Sequence, residues 1–175
     1  MNELELIKPS GKYCEKIAEY RAEFPPDRMR VTLDPDRIPG LDHLEKFSSV
    51  SDWLNYCREM TGKITWYLSV RKSDGKLVGA ACLRHRLEYD DDDIEFASHI
   101  GYSIRPCERG KGYAKEQLRL VLQKAKELGI APVRIVCLDC NIGSIRTILS
   151  NGGIYIDSIT GEESGLTINR YDIEP

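Results

Sequence analysis

Apolar positions recur with a helical period in some stretches of the chain and alternate in others, and the changes of period outline its elements. Tyr13, Ile17, Ala18 and Tyr20 form a stripe that predicts a helix over about 11–22, with Ser10 after Pro9 as its cap. Phe24 to Gly40 carries Pro25, Pro26, Pro35 and Pro39 and reads as an irregular loop of the kind that often borders a site. Leu41 to Met60 returns to a helical pattern, and Ser51 is the expected cap for the turn that carries Trp53, Leu54 and Cys57.

From Ile64 the period becomes two. TWYLSVRK, the turn Ser73-Asp74-Gly75 and KLVGAACLRHRLEY predict an antiparallel hairpin. A third strand is expected over 94–104, with Ile94, Phe96, Ile100, Tyr102 and Ile104 on one face and Glu95, Ala97, His99, Gly101 and Ser103 on the other. RGKGYAKEQLRLVLQKAKELG is then an amphipathic helix, with Ala114, Leu118, Val121, Leu122, Ala125 and Leu128 at helical spacing and Gly129 as its stop. A strand over 133–138 follows, then a short helix through Ile142 to Ser150 that Asn141 can cap and Gly152-Gly153 ends, then strands at about 154–159 and 166–173. This order predicts an α/β chain of the α+β type, one domain over 1–175, with a mixed, mostly antiparallel sheet flanked by helices on both faces.

Composition narrows the functional classes. The chain has 175 residues, 41% hydrophobic and 30% charged, as an ordinary globular domain does. Its 25 Lys and Arg against 28 Asp and Glu leave a net charge of −3, so no overall positive field favours nucleic acid or anionic lipid. No apolar run approaches the ~20 residues that span a bilayer, and MNELELIKPSGKY is too polar for a signal peptide, so no membrane role and a cytoplasmic location are expected. Six cysteines are scattered along the chain, and Cys137-x-x-Cys140 lacks a second ligand pair, so reduced structural thiols and no metal are expected.

The chemistry concentrates at Arg109-Gly110-Lys111-Gly112-Tyr113-Ala114, between a strand and the strongest helix. Glycines there let the backbone approach a ligand, and the first N–H groups of a helix carry partial positive charge suited to a pyrophosphate. No Walker loop is present, and a dinucleotide fingerprint would need a third glycine where Lys115 stands. Without a ligand, the same segment is a turn into a helix with solvated charges.

IGYSIRPCERGKGYAKEQL resembles the acyl-CoA-binding signature of the GNAT N-acyltransferase superfamily, whose Gln/Arg-x-x-Gly-x-Gly/Ala pattern is met by Arg109, Gly112 and Ala114. DCNIGSIRTILSNGG is similar to the family's second motif, in which an Asn at the end of the next strand opens a short helix closing on a Gly. The resemblance covers roughly residues 64–160. It implies direct transfer of an acetyl group from acetyl-CoA to an amine, with the pantetheine arm between the strand at 94–104 and the strand at 133–139. By the same resemblance Tyr102, Ser103, Ile104, Arg109, Gly110, Lys111, Gly112, Tyr113, Ala114, Asn141 and Ser144 are the cofactor-binding candidates. Asn141 is equally explained as a plain helix cap.

A lysine-like amine has a pKa near ~10.4 and must lose a proton before it attacks, while the departing thiolate gains one. Glu95 and His99 are the catalytic candidates, about 13 Å apart on one strand face at ~3.3 Å per residue, so one is expected near the amine and the other acts through water. Their competing reading is a solvated acidic residue and a satisfied sheet histidine. Many family members carry a Tyr seven residues beyond the Asn, but Ile148 stands there. Tyr155, Tyr171 or Tyr102 could substitute, or the thiolate, with an intrinsic pKa of ~8.5, could leave unaided.

The acceptor is expected to be a small-molecule or peptide amine. Glu88, Asp90, Asp91, Asp92, Asp93 and Glu95 would attract a cationic one, although a solvated turn explains the same run. The alternative function is a non-catalytic acyl-CoA-binding or regulatory module, for which Ile148 speaks. A homodimer is left open.

Overall fold

Leu4–Ile7, a stretch too short for alternation to single out, forms the first strand, β1, of a computed structural model that describes residues 2–24, 37–89, 97–161 and 164–175. It pairs antiparallel with β2 (Ile64–Arg71), which turns through Asp74 and Gly75 into β3 (Leu77–Arg84), and β3 pairs antiparallel with β4 (Ile100–Ile104). All eight residues of β3 are buried, as expected of a strand covered on both faces. Gly75 takes φ +68, the left-handed conformation that a tight hairpin turn needs.

A second sheet has the order β5 (Val133–Leu138), β7 (Thr167–Ile173), β6 (Ile154–Thr160), again all antiparallel. The expected mixed sheet is therefore two antiparallel sheets that meet where β4 approaches β5. A backbone bond between them, His99 N–H to Arg134 O at 2.9 Å, marks the junction.

Helices cover both faces. α1 (Cys14–Ala22) and α2 (Val50–Glu59) lie on one side, where Ile17, Tyr20, Trp53 and Leu54 pack on Trp66, Leu68, Ala80 and Cys82. α3 (Tyr113–Glu127) lies on the other, where Leu118, Val121 and Leu122 pack on Tyr67, Ala81, Leu83 and Ile100, and α4 (Ile142–Leu149) joins that core through Ile148. Gly129, at φ +71, closes α3 as its sequence position predicts.

Several boundaries differ from the sequence expectation. Ser10 precedes a 3-10 turn at 11–13 and makes no side-chain cap bond, so α1 begins only at Cys14. The cap of α2 is Ser49, not Ser51: its hydroxyl accepts the Asp52 N–H at 3.1 Å and donates to the Asp52 carboxylate at 2.7 Å. Between 41 and 50 the chain forms a 3-10 turn at Leu44–Lys46 instead of continuous helix. The third strand starts at Ile100, because residues 97–99 are not in a strand; Ile94, Glu95 and Phe96 lie outside the described residues.

Candidate active site

Two strand edges face each other beyond the junction. Arg84 N–H donates to His99 O and Arg105 N–H to Val78 O, so the odd residues of β4 direct their backbone groups at β3, and Ile100, Tyr102 and Ile104 direct theirs away from it. Asp139 N–H likewise donates to Thr167 O, so the odd residues of β5 face β7 and the even ones face β4. The result is an open cleft with backbone donors and acceptors on both walls. An extended chain with amide groups, such as pantetheine, would complete both ladders.

Tyr102 crosses the far part of this cleft, its hydroxyl 2.8 Å from Ser144 Oγ in the first turn of α4. Burial raises the Tyr102 pKa well above its ordinary value, against the opposing hydrogen bond from Ser144, so the phenol stays protonated. Burial also pushes the neighbouring Cys137 thiol up to about 11, an inert rather than nucleophilic thiol. Asn141 caps α4, its Oδ1 accepting the Ser144 N–H at 3.1 Å.

The start of α3 lies at the end of β4. Gly110 and Gly112 have φ +77 and +84. A Cβ on Gly110 would meet nothing within 4 Å, so it is the backbone angle that calls for glycine there, not a close neighbour. Glu116 N–H bonds Gly112 O, whereas the N–H groups of Gly110, Lys111, Gly112, Tyr113, Ala114 and Lys115 make no hydrogen bond among the described residues. Six free donors around a helix start form a nest for an anion. Tyr113 is buried and accepts from Arg71 Nη1 at 3.2 Å, and Ala114 packs on the same small cluster, so both offer the cleft only their backbone. Lys111 Nζ is held 2.8 Å from the Glu108 carboxylate, which also takes Arg71 at 2.9 Å and Lys76 at 2.7 Å. Hydrogen bonds from Lys111 and Lys76, helped by the Arg71 charge, bring Glu108 down to about 2. Arg109 donates from Nε to Ile104 O at 3.2 Å and lays its guanidinium over the Phe24 ring.

The structure thus brings Tyr102, Ile104, Arg109, Gly110, Lys111, Gly112, Tyr113, Ala114, Asn141 and Ser144 around one cleft and its mouth. Ser103 is not among them. Its hydroxyl donates to Pro39 O at 2.6 Å and meets the Tyr20 hydroxyl at 3.0 Å on the opposite face, and its backbone faces β3. His99 sits at the junction with Nδ1 accepting the Arg134 N–H at 2.8 Å. Glu95 and Asp90 to Asp93 lie outside the described residues. Tyr155 is exposed and turned to Ser158 at 2.7 Å, while Tyr171 is buried beside Asn169. Ile148 is fully buried in the core, and its hydrocarbon side chain has no proton to give.

Sequence reasoning missed two groups. Glu108, which gathers the cations beside the loop, was masked by its own ordinary spacing. The other is a buried pair: Asp42 accepts Arg84 Nη2 at 2.7 Å, Arg37 Nε at 3.1 Å and the Cys82 thiol at 2.7 Å, beneath Gly101. Burial alone would raise Asp42, but Arg84, Arg37 and the Cys82 hydrogen bond bring it down to about 2. Among the described residues no group of three His, Cys, Asp or Glu is placed to hold a metal, and no helix is long and apolar enough to cross a membrane.

Comparison with known proteins gives the same outline. Residues 19–154 match the family model of the acetyltransferase (GNAT) domain. RimL, a ribosomal L7/L12 alpha-N-protein acetyltransferase solved with coenzyme A, has a similar structure: TM-score 0.71, 15% identity, 99% of this chain and 94% of that one covered. The Salmonella typhimurium acetyl transferase that modifies the N-terminal serine of the 50S protein L7/L12 is similar at TM-score 0.70 and 14% identity, covering 99% and 95%. The microcin C7 self-immunity acetyltransferase MccE, solved with acetyl-CoA and AMP, follows at TM-score 0.69 and 18% identity, covering 99% and 93%. No curated protein sequence matches the chain. With the family model spanning well over half of its length, on an α/β fold that these structures share, the chain belongs to the GNAT acetyltransferase family.

Proposed function

We propose that the protein transfers the acetyl group of acetyl-CoA directly to a primary amine of a peptide N-terminus or a small molecule. The observation that carries this reading is the row of free N–H groups over Gly110–Lys115 at the mouth of the β4–β5 cleft, a cradle for the pyrophosphate with an extended slot for the pantetheine arm. Structures of similar fold that act on the N-terminus of a ribosomal protein support the peptide acceptor.

In the proposed reaction the amine nitrogen forms a bond to the thioester carbon, the C–S bond breaks, and the amine's proton goes to a base while the thiolate gains one. Tyr102 is our candidate for the second proton. Its hydroxyl, protonated and 2.8 Å from Ser144 Oγ, can donate to the sulfur as charge develops on it, and the proton it passes on is restored from water once CoA has left. Glu95 is retained as the candidate base, with His99 as the rival. The six-carboxylate run from Glu88 to Glu95 favours a cationic acceptor.

The second reading, a non-catalytic acyl-CoA-binding or regulatory module, rests on Ile148, which stands where many family members carry a Tyr acid. The test is amine-dependent release of CoA thiol from acetyl-CoA, with products identified by mass spectrometry over a panel of free-N-terminus peptides and small amines. Release that depends on one class of amine supports transfer and names the class. Saturable acetyl-CoA binding without release from any amine supports the binding module.

A further inference from the structure

A β-ladder does not part for free: the N–H groups on the abandoned edge need new acceptors or they are buried unpaired. Contacts advance together along β4 and β5, His99 with Arg134 and then Tyr102 with the neighbourhood of Cys137, so these strands run in the same direction. Continuing that ladder in parallel register would send Arg134 N–H to Ala97 O and Val136 N–H to His99 O. Neither bond forms. Arg134 N–H goes to His99 Nδ1 at 2.8 Å, and Val136 N–H goes to Ser98 Oγ at 3.4 Å. The His99 carbonyl is taken by Arg84 N–H of β3 at 2.7 Å, and the Ser98 carbonyl by Arg84 Nη1 at 2.9 Å.

We propose that Ser98 and His99 form a side-chain wedge that substitutes for two main-chain acceptors, ends the β4–β5 ladder and thereby sets the width of the cofactor cleft. His99 is on this account a positioning residue, whose effect on the reaction passes through the cleft, and not the base. The inference deepens the proposed function and rests on its placement of acetyl-CoA between β4 and β5. The wedge is built from both sides. Ser98 Oγ also donates to Ile100 O at 3.0 Å, fixing its acceptor lone pairs toward β5. Arg134 is itself held by a two-pronged ion pair with Asp172 of β7 at 2.9 and 2.8 Å, so the strand that meets the wedge is braced from behind. A ring that accepts at Nδ1 must be unprotonated there. Burial, with the charges of Arg134 and Arg84 and against that of Asp172, holds the His99 pKa below its ordinary value and so keeps the ring neutral.

The test uses a substitution that separates acceptor geometry from proton transfer. In His99→Asn the side-chain oxygen stands about where Nδ1 stood and can accept the Arg134 N–H, but it cannot act as a base; His99→Ala removes both capacities. Amide exchange at Arg134 and Val136 is measured on the full chain without cofactor, and Kd for acetyl-CoA and the pH profile of kcat are measured beside it. We expect His99→Ala to speed exchange at Arg134 about tenfold and to weaken acetyl-CoA about tenfold, while His99→Asn stays within about threefold of wild type in both and keeps the acidic limb of its pH profile. Ser98→Ala should do the same to Val136 and provides the test if His99→Ala fails to fold. Unchanged exchange at the targeted amide overturns the wedge, and so does a loss of kcat and of the acidic limb in both His99 variants with Kd intact. A wild-type protein that does not bind acetyl-CoA overturns the cofactor reading instead, and the exchange measurement still decides whether the wedge exists.

Discussion

Two buried carboxylates, Asp42 and Glu108, are each surrounded by cations, and they serve different ends. Asp42, beneath Gly101, is buried with Arg84, and its partners Arg84, Arg37 and Cys82 tie the segment before α2 to β3 and to the start of β4. Glu108, before α3, gathers Arg71, Lys76 and Lys111, but Lys111 is half-exposed and the N–H groups beyond it have no partner. Both carboxyls stand near 2, Asp42 because guanidinium charge overcomes burial and Glu108 because ammonium groups hydrogen-bond it directly. What distinguishes scaffold from site is therefore not charge but saturation. Around Asp42 the polar groups complete one another and hold the fold, whereas beside Glu108 the N–H groups of the loop are left over for a ligand.

This contrast is most exposed to test at Arg84. Arg84→Met leaves a buried carboxylate short of its main partner, and we expect a loss of ~3–5 kcal/mol in denaturant unfolding, against which a loss under 1 kcal/mol would show that the pair does not hold the scaffold. The pH dependence follows. Because the folded Asp42 titrates at about 2 instead of 3.8, its share of stability is complete above its ordinary value and is lost as pH falls through the folded one. The stability gap between wild type and Arg84→Met should accordingly be widest above pH ~3.8 and narrow as pH falls towards 2, because a protonated Asp42 no longer needs the guanidinium.

The opposite region should respond in affinity. Gly112→Pro cannot adopt φ +84 and removes one cradle donor, so acetyl-CoA binding measured by calorimetry should weaken tenfold or more, roughly 1.4 kcal/mol. Equal affinity would remove the loop from the site. Asn141→Ala should cost about 1 kcal/mol of stability as a lost cap. Asn141→Ser restores a cap, so an acetyl-CoA affinity that stays low in that variant assigns Asn141 a direct role with the cofactor, and a full recovery leaves it a cap alone. The smallest effect is expected from Glu108→Gln, which frees Lys111 from its carboxylate. Acetyl-CoA affinity should rise about two- to threefold at low salt and converge with wild type near 1 M, where charges are screened within ~3 Å.

The elements that could be read from sequence are those whose cause is local. α3 declares itself by an uninterrupted apolar stripe and the β2–β3 hairpin by its Asp-Gly turn, and both appear where expected. The cap of α2 is legible too, since Ser49 has Asp52 three residues on, where Ser51, nearer the apolar run, has Leu54. Glycine and charge at 109–114 marked the cofactor loop because helix termini impose their requirements within one turn. Asp42 with Arg84, or Ser98 and His99 with β5, join residues about 35 to 42 positions apart in the chain, and no period in a sequence records such a pairing. Ser103 misled for a related reason. Alternation places it beside Tyr102 without saying that its face meets Tyr20 and Pro39.

One carboxylate on α3 has a consequence for handling the chain. Glu116 Oε1 accepts the backbone N–H groups of Glu3 at 2.7 Å and Leu4 at 3.0 Å, so the helix that presents the cofactor loop also clasps the beginning of β1. The first residues thus behave as a strap buckled to that helix and not as a loose tail. Tags placed ahead of Asn2 should be carried without harm, whereas trimming through Leu4 would unbuckle the strap, bare the edge of β2 and leave a buried acid facing nothing.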